Sequence, residues 1–204
     1  MRLTLDGDLY RDAMAVLELF AKKSHDEDIL SCINYIVDGH TVTMTASDGY
    51  ALIMVAMKCV AADPVPDQKI FNLLPQKIDR GVYNVDIDTD AGVVFCTGRR
   101  NYAVTASPVL PLEYPDLVAA CLKMFDDIVG GRHMIYGGVE DKTIEHRFNP
   151  EYLIRAGTAA KKLGFKNWTT MLMGPGRTMP MYLENTDESY KMRLWILPVL
   201  GRDL

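Results

Sequence analysis

Ala13, Val16, Leu17 and Phe20 recur at intervals of three and four, the spacing that gathers side chains on one face of an α-helix. Asp8 ahead of them predicts an N-cap, with the helix running to about Lys23. Further on the apolar period falls to two or the run becomes continuous, and strands are expected at Cys32 to Val37, Thr41 to Ala46 and Tyr50 to Lys58. Asp38-Gly39 and Asp48-Gly49 separate them, both pairs suited to the backbone angles of tight hairpins.

The same order of helix, then short strands, is expected twice more, a repeat of pattern rather than identity. After the Pro-containing connector Ala61 to Asp67, a short helix is expected near Gln68 to Ile78, then strands at Val82 to Asp88, Val93 to Thr97 and Asn101 to Ala106, punctuated by Gly81, Gly92 and Gly98. The third unit has the sharpest helix start. Asn149 suits the N-cap, Pro150 the first helical position and Glu151 the positive end of the dipole, with Gly164 as the stop. Strands follow at Trp168 to Met173, Met179 to Glu184 and Tyr190 to Leu197. Between the second and third units, Pro115 to Arg147 holds a further helix to about Ile128, a Gly130-Gly131 stop, and strands at Met134 to Tyr136 and Thr143 to Phe148.

The composition, with 49% apolar and 24% charged residues over 204 positions, is ordinary for a globular protein. No run approaches the ~18 to 20 apolar residues of a membrane span. The opening MRLTLDGDLY carries no apolar signal region, so a cytoplasmic location and no membrane partner are expected. Cys32, Cys59, Cys96 and Cys121 form no CxxC pair and read as reduced core residues. A net charge of −5 argues against coating nucleic acid by bulk attraction, although a basic stripe on an acidic body is compatible with it.

Three separated segments carry a family resemblance: TASDGYALIM (Thr45 to Met54), EYPDL (Glu113 to Leu117) and LWILPVL (Leu194 to Leu200). Together they resemble the peptide-binding stretches of the bacterial DNA polymerase sliding clamp, the polymerase III β subunit. The resemblance covers residues 1 to 117 and 148 to 200, from the unit pattern through FNPEYL (Phe148 to Leu153) to the terminal strand. It implies an α+β, DNA-clamp-like fold of repeated helix-plus-antiparallel-strands units, with sheets outside and helices on the inner face. Residues 1 to 117 would form a complete clamp-like domain of two units, and residues 118 to 204 an abbreviated one with a linker helix and one unit.

The function implied is that of a replication or repair processivity factor, not an enzyme, with no cofactor. It would tether DNA polymerase or repair-protein linear peptides to non-specifically bound duplex DNA. The cleft positions that match are Tyr50, Leu52, Pro115, Leu197, Pro198 and Val199. Such a pocket buries apolar anchors at roughly 25 cal/mol per Å². Taken singly, Leu52, Leu197 and Val199 also read as ordinary strand core. Two positions depart from the family's pattern: Ala51 stands where it carries a basic residue, and Leu200-Gly201 where it often ends in Arg-Leu.

The duplex would meet cations on the inner helices: Arg11 and Lys22 with Lys23 in the first unit, Lys69, Lys77 and Arg80 in the second, Arg155 and Lys162 in the third. In the third-unit helix, Leu153, Ala156, Ala160 and Leu163 form the expected apolar stripe, with Arg155 and Lys162 opposite it. The other reading of these cations is a set of solvated faces and helix C-termini.

Asp86, Asp88 and Asp90 lack the Gly and Glu positions of a calcium loop and fit the outward face of a strand. His25, His40, His133 and His146 show no paired metal-ligand spacing, and no metal site is expected. GPGRT (Gly174 to Thr178) lacks a phosphate loop's Lys and reads as a hairpin turn. A homo-oligomeric ring, served by a clamp loader, is the leading expectation. The alternative is a clamp-fold adaptor or inhibitor that binds the same peptides without encircling DNA. An enzyme on an unrelated α+β fold would need a polar pocket with convergent acid and base groups.

Overall fold

The computed structural model describes residues 1–23, 29–63, 69–91, 93–105, 108–109, 147–166, 170–173 and 180–199. The chain starts with β1 (Arg2–Asp6) and α1 (Gly7–Leu17), followed by a 3-10 turn at Ile29–Ser31. Strands β2 (Ile33–Asp38), β3 (Thr41–Ser47), β4 (Ala51–Lys58), β5 (Ala61–Ala62) and β6 (Lys69–Leu73) come next. They are followed by β7 (Val82–Asp88), β8 (Val93–Gly98), β9 (Tyr102–Thr105) and β10 (Pro108–Val109). The described part of the rest holds α2 (Pro150–Lys162), β11 (Thr170–Met173), β12 (Met181–Thr186) and β13 (Tyr190–Ile196).

These strands make two antiparallel sheets, a five-stranded one ordered β5-β1-β7-β8-β9 and an eight-stranded one ordered β10-β6-β2-β3-β4-β13-β12-β11. The larger sheet joins two distant parts of the chain. β4 and β13 pair from Ala51↔Ile196 to Met57↔Tyr190, so a strand from the third unit continues the sheet of the first. Alternation then decides what each residue does. Ala51, Ile53, Val55 and Met57 of β4 and Tyr190, Met192, Leu194 and Ile196 of β13 enter the main core under the helices. Leu52 and Met54, with Arg193 and Trp195, fall on the outer face.

The helices cover the inner face. Tyr10, Ala13, Met14, Val16, Leu17 and Phe20 are buried against strands of both sheets, and α1 also packs on α2. Inside the core the Tyr10 and Tyr35 hydroxyls satisfy each other at 2.7 Å. Val85 and Ile87 are buried while Asp86 and Asp88 stay partly exposed, as the period of two expects. Asp86 accepts from the Thr4 hydroxyl and Asp88 from Arg2, which makes this acidic run part of the β1–β7 seam. Cys32, Cys59 and Cys96 are buried thiols outside any disulfide; Cys121 lies outside the described residues.

Four expectations are corrected. First, α1 is capped by Asp6, whose Oδ1 accepts from the Leu9 amide at 2.9 Å, and it ends at Leu17 rather than near Lys23. The reason is β1, which sequence reading missed although Leu3 and Leu5 alternate with polar neighbours; it delivers the chain directly into the helix.

Second, no helix forms near Gln68 to Ile78. Lys69–Leu73 is a strand paired with β2 from Val37↔Lys69 to Ile33↔Leu73, and residues 74–79 carry no regular structure. Phe71 stacks on Tyr35 at 4.8 Å and Leu73 is buried, so tertiary pairing overrides local propensity here. Pro75 removes an amide and turns Leu74 away from the helical region.

Third, the buried stripe of α2 is Ala156, Ala159 and Leu163, with Tyr152 and Ala160 packed beside it. Leu153 is exposed. Fourth, Arg155 consequently lies on the buried flank and not opposite it. The start of α2 does follow the expectation, with Asn149 accepting from the Glu151 amide at 3.0 Å and Pro150 in the first turn. Residues 110–146, including the further helix and strands expected there, and the GPGRT turn lie outside the described residues.

Candidate peptide cleft and basic groove

The turn before β4 is built around one carboxylate. Asp48 Oδ1 accepts from the amides of Tyr50 and Ala51 at 3.0 and 3.1 Å, while the Ser47 hydroxyl donates to the Ala51 carbonyl and accepts from the Gly49 amide. Gly49 sits at φ 92°, a left-handed angle that glycine takes without a steric cost. This holds Tyr50 outward at the mouth of β4.

The β4–β13 ladder continues past the strands through the Leu197 amide, which donates to the Tyr50 carbonyl at 2.9 Å. By alternation Tyr50, Leu52 and Met54 share the outer face with Arg193, Trp195, Leu197 and Val199. The Val199 amide donates to the Arg147 carbonyl at 2.7 Å, which brings in the segment entering α2. The result is a graded surface. Leu52 and Trp195 are buried, Tyr182 meets Trp195 edge-on at 5.2 Å, Leu197 and Pro198 are half-buried, and Tyr50 and Val199 are exposed.

Four of the six expected cleft residues, Tyr50, Leu52, Leu197 and Val199, are therefore brought together; Pro198 sits between the last two, and Pro115 lies outside the described residues. Sequence reading missed Trp195, whose period-two offset from Leu197 and Val199 was the available signal. It also missed Arg147. The Trp195 indole N–H is buried without a hydrogen-bond partner. At the polar end of this face Glu184 accepts from the Tyr182 hydroxyl and from Arg193, with Lys191 at 3.9 Å. Burial raises the Glu184 carboxyl, but these partners outweigh it and hold it below the usual carboxylate range.

Asp48 also ties the cleft to the helices. Its Oδ2 accepts from the Tyr152 hydroxyl at 2.8 Å and from Arg155 at 3.0 Å. Arg155 reaches further, donating to Glu151 and to the Leu19 carbonyl, and its guanidinium stands 4.9 Å from the centre of the Tyr152 ring. Burial and the Asp48 carboxylate push the Tyr152 hydroxyl up to about 12. Neither role was visible in the sequence, where Asp48 read only as a turn former.

On the helical side, an open groove of about 720 Å³ runs between the end of α1 and α2. Lys22, Lys23, Arg155 and Lys162 line it together with Glu18, Asp48 and Glu151. So four of the eight cations expected to meet duplex DNA, Lys22, Lys23, Arg155 and Lys162, share one groove. The others are elsewhere. Arg11 pairs with Asp8 and Asp12 on α1. Lys69 opens β6, Lys77 is exposed in the irregular segment, and Arg80 stands at the turn into β7.

No protein-family model and no curated protein matches the sequence. The likeness lies in three dimensions. The structure is similar to the DNA polymerase sliding clamp of Bacillus subtilis, with a TM-score of 0.66 at 15% identity, over 99% of this chain and 65% of that one. A Helicobacter pylori β clamp bound to a DNA ligase peptide gives 0.60 at 12% identity, over 100% of this chain and 68% of the clamp. The PCNA2–PCNA3 complex of Sulfolobus tokodaii gives 0.56 at 15% identity, over 97% of this chain and 99% of its own. The chain thus has the sliding-clamp fold, and it spans about two thirds of the length of the bacterial clamps it matches. Among the described residues no helix is long and apolar enough to cross a membrane.

Proposed function

We propose that this chain is a sliding-clamp-like accessory protein of DNA replication or repair, a non-enzymatic scaffold that holds polymerase-type partners on duplex DNA. The observation that carries the proposal is the β4–β13 junction. It gathers Tyr50, Leu52, Leu197 and Val199 on the outer face, with Pro198 between the last two, while the cations Lys22, Lys23, Arg155 and Lys162 face a groove on the helical side. A scaffold needs that separation, because peptide and duplex must be held at once. A linear peptide would place apolar anchors over Leu52 and Trp195 and run its backbone past Tyr50 and Val199. The duplex would be held through phosphates without base reading. The solved clamp with a DNA ligase peptide supports a peptide of that type as the partner.

A clamp retains DNA by topology, since a closed ring stays on a duplex although each phosphate contact is weak. With the sequence given, closure takes several copies arranged head to tail, and the end strands of the two sheets supply edges for such contacts. A clamp loader would then open the ring. One observation favours the alternative, an adaptor that binds the peptides without encircling DNA: three carboxylates, Glu18, Asp48 and Glu151, offset most of the groove's positive charge.

Light scattering with and without a nicked circular duplex separates the two. A closed-ring mass retained on the circle and lost on linearisation is the expected result. A monomer or small dimer that ignores the circle removes the ring and leaves the adaptor.

A further inference from the structure

Arg2, Arg11, Arg155 and Arg193 each pair with a carboxylate. Arg80, Arg99 and Arg100 behave differently: none of them makes an ion pair among the described residues. Yet they converge. All three line one open pocket of about 370 Å³ at the start of β7 and the β8–β9 turn, with Asp79, Gly81 and Tyr102. Among the described residues that line it, only Asp79 carries negative charge.

The convergence is held by the backbone. The Arg99 amide donates to the Gly81 carbonyl at 3.0 Å, and the Asp79 amide to the Tyr102 hydroxyl at 2.9 Å. Gly81 takes φ 85° beneath the Arg99 side chain, and a Cβ on Gly98 would lie 2.2 Å from the Gly81 oxygen. Two glycines thus let two segments close tightly enough to bring three arginines to the lining of one pocket. Holding three like charges in one place without internal partners is unfavourable, and an anion relieves it. The guanidinium fork matches the planar edge of a phosphate, accepting two bonds in parallel, better than a point charge does.

We propose that Arg80, Arg99 and Arg100 form a phosphate-binding site. It is separate from the groove between the helices, and it does not depend on ring closure or on the peptide cleft. Arg80 alone among the three was expected to meet DNA, and then from a helix that does not form. The phosphate comes either from a nucleic-acid backbone or from a small phosphorylated molecule.

Two measurements on the full chain and its Arg99→Gln/Arg100→Gln variant test this. One follows the arginine Nε–H signals by NMR as inorganic pyrophosphate is added. The other follows anisotropy of a labelled duplex across a salt series. Both side chains are exposed, so the variant is expected to keep its melting temperature. For a nucleic-acid backbone, the variant binds duplex more weakly and its slope of log affinity against log salt falls by about 2, near 0.9 per lost phosphate contact. For a small phosphorylated ligand, pyrophosphate shifts the Arg80, Arg99 and Arg100 signals of the parent while duplex affinity is the same for both proteins. No shift with pyrophosphate and no change in duplex affinity or slope would overturn the proposal. Failure of retention on a circular duplex would bear on the clamp reading alone.

Discussion

Replacing Asp48 by Ala removes four hydrogen bonds at one point, two that shape the turn into β4 and two that fasten it to α2. The amide pair contributes about 1 kcal/mol, since the Tyr50 end is open to water, and the Tyr152 hydroxyl about 1.5 kcal/mol as a donor to a charged acceptor. Arg155 has a side chain 28% exposed and keeps Glu151 and the Leu19 carbonyl, so its share is discounted to about 1 kcal/mol. The expected loss is therefore about 3.5 kcal/mol, a large part of the 5–15 kcal/mol typical of a domain. Urea unfolding followed by circular dichroism measures it. Asp48→Asn retains an acceptor for the two amides and should cost about 2.5 kcal/mol, the Tyr152 and Arg155 shares alone. A double-mutant cycle of Asp48→Ala with Tyr152→Phe should return a coupling of about 1 kcal/mol. A loss below about 1 kcal/mol for Asp48→Ala, or a coupling indistinguishable from zero, would refute the network as the link between cleft and helices.

The same hydroxyl gives a pH signature: Tyr152 is raised to about 12 in the folded chain from an ordinary value of 10, so the unfolded chain gives up that proton first and stability should fall between about pH 10 and 12; Tyr10, Tyr35, Tyr182 and Tyr190 are raised as well, so Tyr152→Phe should make that fall shallower, not abolish it. Val199→Glu, at an exposed rim position, should abolish binding of a clamp-motif peptide with the melting temperature unchanged; retained affinity would sink the cleft. Leu52 is buried, so Leu52→Ala is the informative change there, costing about 2–5 kcal/mol of stability in urea as well as peptide affinity. Arg155→Glu with Lys162→Glu should weaken duplex binding at low salt, and unchanged affinity by anisotropy would take the groove off the DNA path. Gly7→Ala would set a Cβ 2.4 Å from the Val82 carbonyl oxygen and should lower stability by about 1–3 kcal/mol through overpacking, read from the urea midpoint.

Much of the local structure was legible without coordinates, because its causes are local. Period-two alternation placed β7 at Val82–Asp88, and helical spacing placed the buried face of α1. The Asn149-Pro150-Glu151 start of α2 follows from the free amides of a helix end. The Asp48-Gly49 turn and the strand ending at Ile196 were also recognisable as segments, and that is why Tyr50, Leu52, Leu197 and Val199 could be named as neighbours before the fold was known.

The tertiary structure decided what those segments do. Lys69–Leu73 became a strand because β2 offers it a partner and Tyr35 offers Phe71 a ring to stack on, neither of which a local window contains. Arg155 turned inward because Asp48, 107 positions earlier, stands within 3.0 Å of it. Arg80 joined Arg99 and Arg100 through the approach of Gly81 to Gly98. The apolar outer face is a consequence of the β4–β13 pairing, which sets Leu52 beside Trp195. Periodicity along a chain specifies which side of an element is apolar. Which element lies against it depends on the summed packing of the whole fold, and the site on this protein belongs to that second kind of information.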